Sequence, residues 1–172
     1  MEYLRCYAQV SLPAIGHNID EVRKRLAPGV KLLAVIKADA YGHGACRVGK
    51  YLEPRVNYFA VATLEEAVEL REGGITRPIL ILSYVSPSQY PELVRYEITQ
   101  TIDSLDQAEA LEQAAAQAGK RAKIHIGVDT GMTRIGFQVR EDEADRIAQI
   151  AGFPHLEMEG IFTHFSCADQ ED

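Results

Sequence analysis

The stretch LLAVIKADAYGHG, residues 32–44, decides how this chain is read. Five apolar residues run into Lys37, and Tyr41, Gly42, His43 and Gly44 follow within seven positions. A nearly continuous apolar run suits a strand buried on both faces. The glycines permit a tight bend, and ACRVGKYLE beyond them has helical character. Strand, loop and helix make one βα unit. In such folds chemistry gathers at the carboxyl ends of the strands, so Lys37, expected to end this strand, is expected to project there.

Outward from that unit the alternation repeats. KLLAVIK (31–37), YFAVA (58–62), PILILS (78–83), EITQTI (97–102), AKIHIGV (122–128) and MEGIFTH (158–164) read as strands. TLEEAVELREGG, SLDQAEALEQAAAQAG and EDEADRIAQIAG between them read as amphipathic helices. The first two open on Thr or Ser and all three close on glycine, as caps require. An extended piece and a helix, QVSLPAIGHNIDEVRKRL, come first. Crossover helices imply a parallel sheet, either doubly wound or a TIM-type barrel. A barrel needs eight strands and this pattern supplies six.

The totals narrow the function. The 172 residues are 47% hydrophobic and 25% charged, with a net charge of -7, which is ordinary for a soluble protein. No basic stripe favours nucleic acid or an anionic membrane. Cys6, Cys46 and Cys167 are odd in number and scattered, with neither disulfide nor zinc spacing, so a cytoplasmic setting is expected. No run has the length of a membrane span, and MEYLRCYAQV lacks the apolar segment of a signal peptide.

An amine among apolar neighbours suits Schiff-base chemistry, and a loop meeting a helix N-terminus offers free amides to an anion. Pyridoxal phosphate carries an aldehyde for the one and a phosphate for the other. Position alone leaves alternatives: a strand-end lysine also simply reaches water, and Tyr41 also serves as a packing residue. Arg134 sits in DTGMTRIG, where two glycines and a capping Asp129 suit a shaped loop more than a solvated face. His164 follows a strand and falls on the same rim. His43, His125 and Asp39 read as structural.

AVIKADAYGHG resembles the pyridoxal phosphate attachment motif of the alanine racemases. IHIGVDTGMTRIGF (124–137) is similar to the family's substrate-carboxylate segment, and EGIFTHFSCAD (159–169) to its following strand and loop. The resemblance spans essentially the whole chain. It implies an α/β fold, a TIM-type (β/α)8 barrel truncated after about six βα units. Residues 1–172 would be the N-terminal portion of the barrel domain, without the family's C-terminal β domain.

The resemblance also implies roles. Lys37 would anchor the cofactor covalently and act as one of two proton-transferring bases. Tyr41 would bond the phosphate, Arg134 would meet the cofactor's phenolic oxygen and the substrate carboxylate, and His164 would pack on the pyridine ring. Leu82 would line the pocket. The implied activity is cytoplasmic interconversion of L- and D-alanine, supplying D-alanine for peptidoglycan, in a homodimer whose partner's C-terminal domain contributes the second base.

Two departures stand out. Many members place a lysine, often carbamylated, where this chain has Gly127, so Arg134 must be oriented otherwise, by an anion or water. A sheet lacking two barrel strands also has two open edges, so the chain alone is expected to aggregate, stay partly molten or need a complementing fragment. The alternative function is a non-catalytic, single-domain pyridoxal phosphate-binding protein.

Overall fold

In a computed structural model, residues 6–170 are described. Seven strands form one parallel sheet: β1 (Leu33–Val35), β2 (Tyr58–Val61), β3 (Ile79–Ile81), β4 (Thr99–Ile102), β5 (Ala122–Asp129), β6 (Phe137–Gln138) and β7 (Leu156–Thr163). From β1 to β5 each strand pairs with the next in sequence, and β7 adds to β5. The two-residue β6 pairs with Val128 and Asp129 at the carboxyl end of β5.

This order settles the choice between architectures. A doubly wound sheet reverses its strand order at a switch point, whereas a (β/α)8 wall advances in one direction. No reversal occurs here, so the chain forms an arc of a TIM-type barrel. Among the described residues β1 pairs only with β2, and β7 only with β5, leaving the outer edges of both strands unpaired.

The helices follow their sequence signals. Ser11 caps α1 (Leu12–Arg25), Thr63 caps α4 (Leu64–Glu72) and Ser104 caps α6 (Leu105–Gln117), each accepting an amide three residues on. The remaining longer helices are α3 (Ala45–Leu52) and α7 (Glu141–Ala151). A 3-10 turn (Pro87–Gln89) and a short α5 (Tyr90–Arg95) join β3 to β4, where the sequence reading placed no helix. Their prolines sit at first-turn positions, which a helix tolerates, although proline disrupts the apolar period. Phe59, Ile79, Ile81, Ile102, Ile124 and Ile126 bury the outer face of the sheet in one cluster with Leu70, Leu93 and Leu111 of the helices.

The first strand is shorter than expected. It ends at Val35, so Lys37 does not end the strand but opens a separate turn, α2 (Lys37–Gly42). That turn is left-handed: Ala38, Asp39, Ala40 and Tyr41 have φ of 50°, 53°, 53° and 55°. Such conformation costs about 1–2 kcal/mol for each non-glycine residue, because Cβ crowds the following carbonyl. Local bonds offset the cost. Ala40 N donates to Ile36 O at 3.0 Å and Gly44 N to Asp39 O at 2.9 Å.

Candidate active site at the carboxyl rim

One cavity of about 400 Å³ opens at the carboxyl ends of the strands. Lys37, Tyr41, Leu82, Arg134 and His164 all line it, although they come from four separate segments. The left-handed turn brings both Lys37 and Tyr41 to the cavity. Val35, Met132 and Phe162 add apolar wall. Lys37 is partly buried, while Tyr41, Arg134 and His164 are exposed at the mouth. None of these four polar side chains bonds to another described residue.

The chain itself takes part of the anion site expected at the start of α3. Its first amide, Ala45 N, donates to Asp39 Oδ1 at 2.6 Å and is not free for an outside anion. Asp39 is therefore a helix cap rather than a plain loop residue. Gly42, His43 and Gly44 lie with Ala8 and Arg47 around a different depression, away from Lys37. Of the residues expected to grip an anion, Tyr41 alone faces the main cavity. The structural reading of His43 fits its ring Nδ1, which lies 2.8 Å from Ala40 O.

Arg134 is carried by a built loop. Asp129, buried at the end of β5, accepts amides from Gly131 and Thr133 at 2.9 Å each, and Gln138 Nε2 at 3.3 Å. Those amides, Gly131 first, hold its carboxyl below the usual carboxylate range. Gly136 seats the loop on β5: a Cβ there would lie 2.6 Å from Asp129 N and 2.8 Å from Val128 C. Thr130 Oγ1 meets Thr163 Oγ1 at 2.8 Å, tying the loop to β7 beside His164.

Gly127 lines the same cavity. A Cβ at that position would lie 3.2 Å from the Thr101 methyl, which occupies the space beside it. Thr101 is in turn fixed by donating to Ile81 O at 2.7 Å. The organisation of the Arg134 loop comes from Asp129 and Gly136 rather than from position 127.

Beneath the cavity floor lies a polar cluster inside the arc. His125 sits with its ring centroid 5.6 Å from Tyr58 and 6.4 Å from Phe162. The sequence reading left His125 unpaired with the site, yet it packs directly under a residue that lines it. Burial pushes its imidazole below the ordinary range, with Glu159 opposing. The Tyr58 hydroxyl bonds Thr99 and donates to Glu159 at 3.0 Å, and Lys123 pairs with Glu159. Burial raises the Glu159 carboxyl, but the bonds from Lys123 and Tyr58 outweigh it and hold the group low. Val35, Met132 and Phe162 escaped the sequence reading because an apolar side chain on a cavity wall is indistinguishable from one in a core. His125 had a usable signal, since it lies two residues from Gly127 on one strand face.

Comparison with known proteins agrees with this geometry. The model of the alanine racemase N-terminal domain matches residues 10–172. Alanine racemase 1 of Caldanaerobacter subterraneus subsp. tengcongensis is 46% identical over 165 residues, covering 95% of this chain and 42% of that protein. The alanine racemase structure of Clostridium difficile superposes with a TM-score of 0.87 at 41% identity, over 92% of this chain and 41% of that one. That of E. faecalis gives 0.85 at 39% identity, over 95% and 44%. The chain thus spans less than half the length of the relatives it matches. A one-directional parallel wall, a lysine on a turn at its carboxyl rim and a family match over nearly every residue lead to one placement: this chain belongs to the alanine racemase family, through its N-terminal domain.

Proposed function

We propose that this chain forms the cofactor-binding wall of a pyridoxal phosphate-dependent racemase acting on alanine. One observation carries the reading: the Lys37 amine shares a cavity with Tyr41, Arg134 and His164, and none of them has a partner among the described residues. A primary amine, a phenol, a guanidinium and an imidazole around an apolar wall are the donor set that pyridoxal phosphate needs.

Lys37 would hold the cofactor through Nζ, Tyr41 would donate to its phosphate, and the His164 ring would lie against its pyridine face, with Leu82 as apolar wall. Arg134 would meet the phenolic oxygen and orient the substrate carboxylate. When bound, the cofactor supplies an electron sink for the pair left by the departing α-proton. Racemisation removes that proton from one face and returns one on the other. Lys37, released once the substrate amine replaces it on the cofactor, would move the proton on one face at Nζ.

The second base is proposed to come from a partner subunit in a homodimer. Among the described residues no helix is long and apolar enough to cross a membrane. The proposed role is cytoplasmic supply of D-alanine for peptidoglycan.

Borohydride trapping after incubation with pyridoxal phosphate, followed by peptide mass spectrometry, should place the label on Lys37. A label elsewhere, or none, overturns the reading. Alanine racemisation assayed with the remaining half supplied in trans tests the activity. Cofactor capture without racemisation in the complemented protein would instead identify a cofactor carrier.

A further inference from the structure

TLEEA, residues 63–67, has the spacing of a helix capping box, in which the third helical residue's carboxylate returns to the amide of the capping residue. Half of that motif forms: Glu66 N donates to Thr63 Oγ1 at 3.3 Å. The other half goes elsewhere. Glu66 Oε2 accepts Ala62 N at 2.7 Å, one residue before the cap. Glu66 Oε1 leaves its own helix and accepts Ala38 N, also at 2.7 Å.

Both recipients belong to the candidate site. Ala38 directly follows Lys37 and is the first left-handed residue of α2, with φ of 50°. Ala62 lines the cavity wall. A single carboxylate therefore joins the ends of β1 and β2 at the rim where the lysine departs. The left-handed turn is costly, and the amide at its start has no other acceptor among the described residues.

We infer that Glu66 is a positioning residue for Lys37, its two carboxylate oxygens clamping the turn that aims the amine into the cavity. The inference rests on reading Lys37 as the cofactor's attachment point. The chemistry demands a carboxylate of this length. Glutamine has one acceptor oxygen and would set an NH₂ donor against the second amide, and aspartate is one methylene shorter. An ordinary helix cap would instead make Glu66 and Thr63 equivalent in effect.

The test compares Glu66→Gln, Glu66→Asp and Thr63→Ala in the full chain. Hydrogen exchange at the Ala38 amide, read by NMR, should accelerate at least tenfold in both Glu66 variants and stay within twofold of wild type in Thr63→Ala. The rate of borohydride-trapped pyridoxal phosphate attachment at Lys37 should fall at least tenfold in Glu66→Gln, with Thr63→Ala unaffected. Equal effects of Glu66→Gln and Thr63→Ala on both readouts, or none from Glu66→Gln, overturn the inference. If wild type takes no label at Lys37, the cofactor reading fails and the clamp is judged on Ala38 exchange alone. If a Glu66 variant does not fold, the wild-type measurement decides: an Ala38 amide protected like the interior of α4 supports the clamp, and an unprotected one overturns it.

Discussion

Replacing Gly136 with alanine probes how the Arg134 loop is held. The added Cβ would meet only backbone: Asp129 N at 2.6 Å, Val128 C at 2.8 Å and Gly127 C at 3.1 Å. No side chain can rotate away to relieve it. Overpacking of this kind costs about 1–3 kcal/mol. The φ of 125° costs an alanine about 1–3 kcal/mol more. The total of roughly 2–6 kcal/mol matches or exceeds what the short β6 pairing returns at about 1 kcal/mol per bond, and it also works against the Asp129 bonds. The loop and β6 should therefore lift from β5 while β5, held by β4 and β7, stays in place. Hydrogen exchange at the Gly131 and Thr133 amides should quicken, trypsin should cut after Arg134, and the urea midpoint of the sheet should change little. Wild-type protection of both amides in Gly136→Ala would falsify this account of the loop.

Four further outcomes follow from the same geometry. Tyr41→Phe should weaken pyridoxal phosphate binding roughly 10- to 150-fold, the loss of one hydrogen bond to a charged group, while leaving unphosphorylated pyridoxal unchanged in a fluorescence titration. The lowered pKa of His125 means the unfolded chain binds its proton more readily than the folded one. Its contribution to stability is present above about pH 6.5 and fades as pH falls below it, so His125→Gln should flatten that part of a urea-midpoint profile. The Asp129 carboxyl, also held low, loses its contribution only in stronger acid, so the loop should become protease-sensitive below about pH 4. Finally, the edges of β1 and β7, unpaired among the described residues, should make a protein of residues 1–172 alone self-associate. Sedimentation showing a concentration-independent monomer would count against that expectation.

The sequence made the fold legible because buried parallel strands are apolar along their length and their crossovers carry helical period and caps. It could not show that α2 winds the wrong way. Ala38, Asp39, Ala40 and Tyr41 include no glycine, and the conformation is supported partly from α4, 28 positions beyond Ala38. The turn's conformation also hid the role of Asp39: its carboxylate takes the first amide of the helix terminus that the sequence reading offered to a phosphate. The five candidate site residues were found through a motif resemblance, and the shared cavity reflects the strand ends that bear them. Glu66 was legible as a cap and illegible as a link between strands.

The register of β7 against β5 slips once, between Ile124 and His125. Met158 pairs with Ile124 and Gly160 with His125, so Glu159 is an extra residue, and it shares the inner side with its neighbour Gly160. Strand side chains alternate, so one added residue exchanges inside and outside for everything downstream. Phe162 and His164 owe their inward aim to that slip. Were β7 to pair with β5 in unbroken register past Met158, the rim motif would keep every residue and point its histidine away from the cavity.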